Sequence, residues 1–143
     1  MTNRRDALAS AMALFCGAVA AHAQNPAAPA GRGPAFKQDL PNVSLDGWEV
    51  TVSEIPMPPG QVGRAHRHPG FVLAYVLEGE IRTKISDQPE RVYKTGEMFY
   101  EWPGSTHRVS ANASKTQPAR LLAMVFAPKG VPLVMPADSA SGH

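Results

Sequence analysis

Cysteine is almost missing from this chain: among its 143 residues the only one is Cys16. A single cysteine allows no disulfide framework and no cysteine-based zinc site. An excess of one charge is missing as well. Fourteen Lys and Arg stand against twelve Asp and Glu, a formal net of +2, which gives no basic stripe for nucleic acid and no polybasic membrane patch. No apolar run reaches the roughly 18 residues of a membrane span. Room for long helices is also scarce, because 14 prolines and 12 glycines break the chain into short pieces. With 43% hydrophobic residues, what is left is one compact domain.

Residues 1–23 read as an export signal. Met1–Arg5 is basic and ends in Arg4-Arg5, an apolar small-residue run follows from Ala7 to about Ala21, and Ala21-His22-Ala23 fits a small-x-small cleavage site. Both a twin-arginine and a general secretory route are open. The expected destination is periplasmic or secreted, with Gln24 as the mature start. Cys16 leaves with the signal, and the mature chain keeps 12 basic and 11 acidic residues, a net of +1. About 120 residues bury roughly two-thirds of their unfolded surface, enough for a core without staples.

The rest reads as all-β. Residues 24–44 form an Ala/Pro/Gly-rich, flexible lead-in. Trp48–Ser53 alternates apolar and polar residues as a half-buried strand does, and Ile81–Ile85 repeats the pattern. Phe71–Leu77 is a continuous apolar run between Pro69-Gly70 and Gly79, short and rich in β-formers, hence a buried strand. Arg91–Tyr93, Glu97–Trp102, Thr106–Ser110 and Leu121–Phe126 supply further strands. Such spacing predicts a small sandwich or barrel over 45–128, then an edge strand and loose tail over 129–143.

Five histidines occur, of which His22 leaves with the signal and His143 ends the chain. His66 and His68 are two apart, so an extended strand points both imidazoles to one face and Arg67 to the other. His107 follows 39 residues after His68, just past the turn Pro103-Gly104. A rolled-up sheet brings it to the same place. Each histidine alone is read most simply as a core residue satisfied by a carbonyl. Three together, with no other in the folded part, favour a metal.

These residues resemble the cupin family. Gly60, His66-Arg67-His68, Val72 and Gly79 follow the spacing of its first motif; Gly96, Pro103-Gly104, His107 and Asn112 resemble its second, with the proline displaced by one and Asn112 one residue later than usual. Tyr75-Val76-Leu77-Glu78-Gly79-Glu80 is typical of it, and sixteen residues, 80–95, separate the motifs. The resemblance implies a single-domain double-stranded β-helix, a jelly-roll barrel with one divalent metal ion (Fe, Mn, Ni or Zn) inside. It makes His66, His68 and His107 the ligands. Two departures stand out. Val72 occupies the family's glutamate position and cannot bind a metal, and Trp102 takes the place of a proline. Glu101 is the nearest substitute carboxylate, although an exposed strand residue or a partner for Arg108 is the simpler reading of it.

A three-histidine site leaves a divalent ion its full charge and open positions, suited to an anionic substrate. The resemblance then implies a small exported dioxygenase-like enzyme acting on an organic molecule. A non-enzymatic metal- or ligand-binding module and a cupin isomerase or lyase are the alternatives. Phe71, Tyr75, Phe99, Tyr100 and Trp102 are candidates for lining an apolar pocket, core being the simpler role for most. Arg64 is a candidate for steering an anion, whereas Arg67 and Arg108 should point outward. Oligomeric state is not written in the sequence, though small barrels with exposed edge strands often form homodimers.

Overall fold

The computed structural model describes residues 35–138, all within one compact unit. Residues 1–23, read above as an export signal, the first part of the lead-in and residues 139–143 lie outside the described residues. Nine strands follow one another: β1 Trp48–Met57, β2 His66–Arg67, β3 Phe71–Glu78, β4 Glu80–Ile85, β5 Arg91–Lys94, β6 Met98–Glu101, β7 Thr106–Asn112, β8 Ala119–Pro128 and β9 Met135–Pro136. The all-β expectation therefore holds, and the described residues contain no helix. None is long and apolar enough to cross a membrane.

The strands form two antiparallel sheets, one ordered β1-β8-β3-β6 and the other β5-β4-β7-β2-β9. Chain neighbours β3 and β4 lie in different sheets, joined across Gly79 alone. That residue has φ +71°, and an added Cβ would stand 2.6 Å from the Pro118 carbonyl oxygen, so glycine is needed there twice over. Side-chain alternation decides what faces inward. Along β8, Ala119, Leu121, Ala123, Val125 and Ala127 are buried while their neighbours are more exposed. They meet two buried groups: Met57, Ala74, Val76, Ile81, Ile85 and Phe99 at one end, and Val72 at the other. Between those groups the barrel is not filled by side chains.

Two polar residues lock the ends of strands. Asn112 is buried, and its Nδ2 donates to the carbonyls of Met57 and Gln117, tying β7 to β1 and β8. Glu97 caps the turn after β5 by accepting from the Lys94 amide.

Candidate metal centre

The three candidate histidines come together. His66 on β2 stands directly opposite His107 on β7, which closes the 39-residue separation of His107 from His68. The His66 ring centroid lies 5.0 Å from that of His68 and 5.0 Å from that of His107. The outer nitrogen of each ring is pinned. His66 Nδ1 donates to the Arg64 carbonyl at 2.8 Å, and His68 Nδ1 donates to the Leu133 carbonyl at 2.6 Å. A carbonyl has no proton to give, so both rings carry Nδ1–H and keep a lone pair on Nε2. Burial holds the His66 pKa below its ordinary value of 6.5, the neighbouring imidazoles push it the same way, and the neutral form a metal needs is favoured.

Glu101 overturns the simpler reading of it given above. It is not an exposed strand residue and does not pair with Arg108, whose guanidinium meets Asp87 instead. Its carboxylate is only 4% exposed, and Oε1 lies 3.1 Å from His107 Nδ1 while Oε2 lies 3.9 Å from His68 Nε2. Strand register explains this: β6 pairs with β3 so that Glu101 is directly across from Val72. The carboxylate missing from Val72 is thus supplied by the adjacent strand at the same level. Burial alone would raise the Glu101 pKa, but the hydrogen bond from His107 and electrostatic attraction to the three histidines outweigh it and hold it below 4.5.

These four side chains form one wall of a cavity of about 290 Å³. The rest of its lining is mostly apolar, with Ile55, Met57, Val72, Leu121, Val125 and Leu133 among others, and Ser53, Gln61 and Ser110 add polar groups. Arg64 also lines it, the only Lys or Arg among the described residues to do so, while Arg67 donates to the Gly104 carbonyl. None of the five aromatic candidates borders this cavity. Phe71 stacks on Phe126 at 4.6 Å, Phe99 is core, and Tyr100 and Trp102 border a separate groove beside Phe36 and Tyr93. The reason is alternation: Val72 and Ala74 take the cavity-facing positions of β3, which leaves Phe71 and Tyr75 out of it.

The Cupin domain family matches residues 53–125. This chain belongs to the cupin family. Solved structures agree on the fold. This cupin is similar to an uncharacterized conserved protein with a double-stranded β-helix domain from Klebsiella pneumoniae, with TM-score 0.53 and 22% identity over 63% of this chain and 76% of that one. It is also similar to the DMSP lyase DddQ from Ruegeria pomeroyi, with TM-score 0.54 and 17% identity over 64% of this chain and 45% of the lyase. The oxalate decarboxylase of Lactobacillus farciminis, in its formate complex, matches at TM-score 0.52 and 14% identity over 61% of this chain and 26% of that enzyme. The match thus spans less than half of the lyase and about a quarter of the decarboxylase. No curated protein matches this cupin.

Among the described residues, no group of three or more His, Cys, Asp or Glu side chains is already drawn together as a metal shell. The donors nonetheless fit one divalent ion. Two ligands each about 2.1 Å from an ion and at right angles stand about 3.0 Å apart, close to the 3.1 Å between Glu101 Oε1 and His107 Nδ1. In the structure that pair is hydrogen-bonded. Nitrogen and carboxylate donors suit iron, manganese, nickel and zinc. Sequence reasoning missed two supporting residues, Leu133 behind His68 and Thr83 behind His107. Neither belongs to a motif, since one acts through its backbone and the other is a threonine in an ordinary alternating strand.

Proposed function

We propose that this cupin is an exported, metal-dependent enzyme of the dioxygenase type that acts on a small organic anion. The observation that carries the reading is the meeting of His66, His68, His107 and Glu101 on one wall of a mostly apolar cavity, with Arg64 beside them. These four residues would hold one divalent ion. When bound, the ion supplies a Lewis acid and, with iron or manganese, a redox-capable centre. Three neutral imidazoles and one carboxylate lower its charge from +2 to about +1. The ion would keep a net attraction for anions and coordination positions for a substrate.

The chain's own residues define the substrate. Leu121, Val125 and Leu133 exclude water and hold a hydrocarbon portion, and a volume of about 290 Å³ limits that portion to a small molecule. Arg64 gives such a molecule's carboxylate or enolate a cationic partner at the wall. Glu101, kept ionised, can hold a substrate proton at Oε1 or Oε2. That last feature favours a second reading, a non-oxidative lyase or decarboxylase in which Glu101 is the base. The basic, apolar segment 1–23 supports export.

The test is oxygen uptake by iron-loaded protein offered diketones, phenolics and enol acids. Substrate-dependent uptake that is lost in His107→Ala is the expected result. Turnover without oxygen uptake favours the lyase reading. Carboxylate binding without any turnover makes the protein a binding module and contradicts the proposal.

A further inference from the structure

We infer that the seam between β5 and β6 is a second binding site, separate from the barrel cavity, for a small aromatic carboxylate. Arg91 takes the carboxylate, and Phe36, Tyr93, Tyr100 and Trp102 hold the ring. The inference goes beyond the proposed metal centre and does not depend on it.

Topology makes the seam. β6 is the last strand of one sheet and β5 the last of the other, and each is paired on one side, β6 with β3 and β5 with β4. Residues 95–97 join the two strands. Beside them lies a groove of about 420 Å³, larger than the barrel cavity of about 290 Å³. That is within the range of small-molecule sites, roughly 300–1,000 Å³.

Its lining differs in kind from that of the barrel. Five of the nine Phe, Tyr and Trp residues in the described part border the groove, and none borders the barrel cavity. They converge from separate segments: Tyr93 from β5, Phe99 and Tyr100 from β6, Trp102 from just past β6 and Phe36 from the lead-in. Phe99, 2% exposed, forms the buried base and packs on Tyr93 with ring centroids 5.1 Å apart. The other four are partly buried and leave ring surface on which a planar ligand can stack.

One charge completes the groove. Arg91 is the only charged side chain among the described residues that borders it, and its guanidinium lies 6.0 Å from the Tyr93 ring centroid. The acidic residues near it are engaged elsewhere. Glu90 pairs with Arg82 at 3.2 Å, and Glu97 accepts from the Lys94 amide at 2.7 Å. Among the described residues, every arginine guanidinium meets a carboxylate or a carbonyl except those of Arg64 and Arg91. Arg64 borders the barrel cavity, and Arg91 borders the groove. A guanidinium with free donors binds a carboxylate through two parallel hydrogen bonds, and a single positive charge matches a monoanion. Gln88, whose side-chain amide has no partner among the described residues, can bond a hydroxyl on the ring. An uncharged arene leaves the guanidinium unanswered, and an aliphatic acid leaves the rings unused. An aromatic carboxylate answers both.

The test is titration of the purified protein with 4-hydroxybenzoate, followed by ¹H–¹⁵N NMR of the indoles. A chelator is present throughout, which takes any metal-dependent binding in the barrel out of the measurement. The chain has two tryptophans, and they report position: Trp102 borders the groove, whereas Trp48 packs near Phe71 with ring centroids 6.1 Å apart. The acid should shift the Trp102 indole saturably and leave that of Trp48 in place. 4-Hydroxybenzamide should bind about tenfold more weakly or worse, and Arg91→Gln should bring the acid down to the level of the amide. Phe36→Ala should weaken both about threefold, the loss of one stacking face. Arg64→Gln should change neither. Unchanged Tm checks that each variant is folded. Equal affinity for acid and amide, or an Arg91→Gln protein that binds the acid as wild type does, would overturn the site. So would acid binding that is lost in Arg64→Gln and kept in Arg91→Gln, since the ligand would then lie in the barrel. No shift of Trp102 at millimolar acid would overturn it as well.

Discussion

Replacing Glu101 by Gln changes one atom type and removes one charge at the point where the account is most exposed. The side chain is 4% exposed, and its Oε1 accepts from His107 Nδ1 at 3.1 Å. Gln keeps a carbonyl oxygen for that bond but makes it neutral. A hydrogen bond to a charged group contributes about 1.5–3 kcal/mol against about 1 for a neutral one, so the metal-free protein should lose about 1 kcal/mol. For a domain of this size that lowers Tm by roughly 4–8 °C. The metal-bound state loses more, because the only carboxylate among the donors is gone. A ligand loss of about 1.4–2.8 kcal/mol is a 10- to 100-fold weaker Kd. At saturating zinc, the gap in stability between variant and wild type should widen by the same amount. The assay is calorimetric zinc titration together with thermal melts, with and without the ion. Because Val72 stands across from Glu101 in the β3–β6 register and both border the cavity, adding Val72→Glu should restore most of the affinity. A Glu101→Gln protein that binds zinc as wild type does would refute the assignment of Glu101 to the centre.

Arg64→Gln should leave metal content unchanged and raise KM, or Kd for a small carboxylate, about tenfold. Equilibrium binding of carboxylates of graded length, set against the matching amides, measures it, and equal loss for acids and amides would contradict an anion-binding role. Acidification should destabilise the metal-free protein in two stages. His66 and Glu101 both sit below their ordinary values of 6.5 and 4.5, so on falling pH the unfolded chain takes up protons first. Stability from His66 is complete above about pH 6.5 and declines below it, that from Glu101 declines below about pH 4.5, and melts of Glu101→Gln should lack the second decline. Phe99, 2% exposed in the larger core group, should cost about 3–5 kcal/mol when replaced by Ala in denaturant unfolding. A cost under 1 kcal/mol would mean the barrel is not packed as described.

The strands and the histidines were legible because they depend on local facts. Alternation marks β1 and β4, a short apolar run marks β3, and a two-residue spacing puts His66 and His68 on one face. The ordering of β8 between β1 and β3 was not legible, and neither was the register that sets Glu101 against Val72. Register is a relation between two strands, and nothing in the MFYE sequence of β6 states which partner residue it will face. For the same reason Arg108 offered itself as the partner of Glu101, although it pairs with Asp87 across the barrel wall. The C-terminal part was harder still. Leu133 reads as one apolar residue in a Pro-containing stretch, yet its carbonyl orients His68, and Met135–Pro136 adds β9 beside β2. That contribution comes from backbone, which sequence pattern does not display. For the aromatic residues core was the simpler reading, and Phe71 and Phe99 are buried; face parity keeps all five off the cavity.

The central claim is that His66, His68, His107 and Glu101 hold one metal ion. Elemental mass spectrometry of the protein purified from its own source tests that claim most directly, with His66→Ala and His107→Ala prepared alongside. The account predicts about one iron, manganese, nickel or zinc per wild-type chain and at least a tenfold lower content in each variant. A wild-type protein without metal that takes up none on reconstitution, or variants that keep the full content, would contradict it.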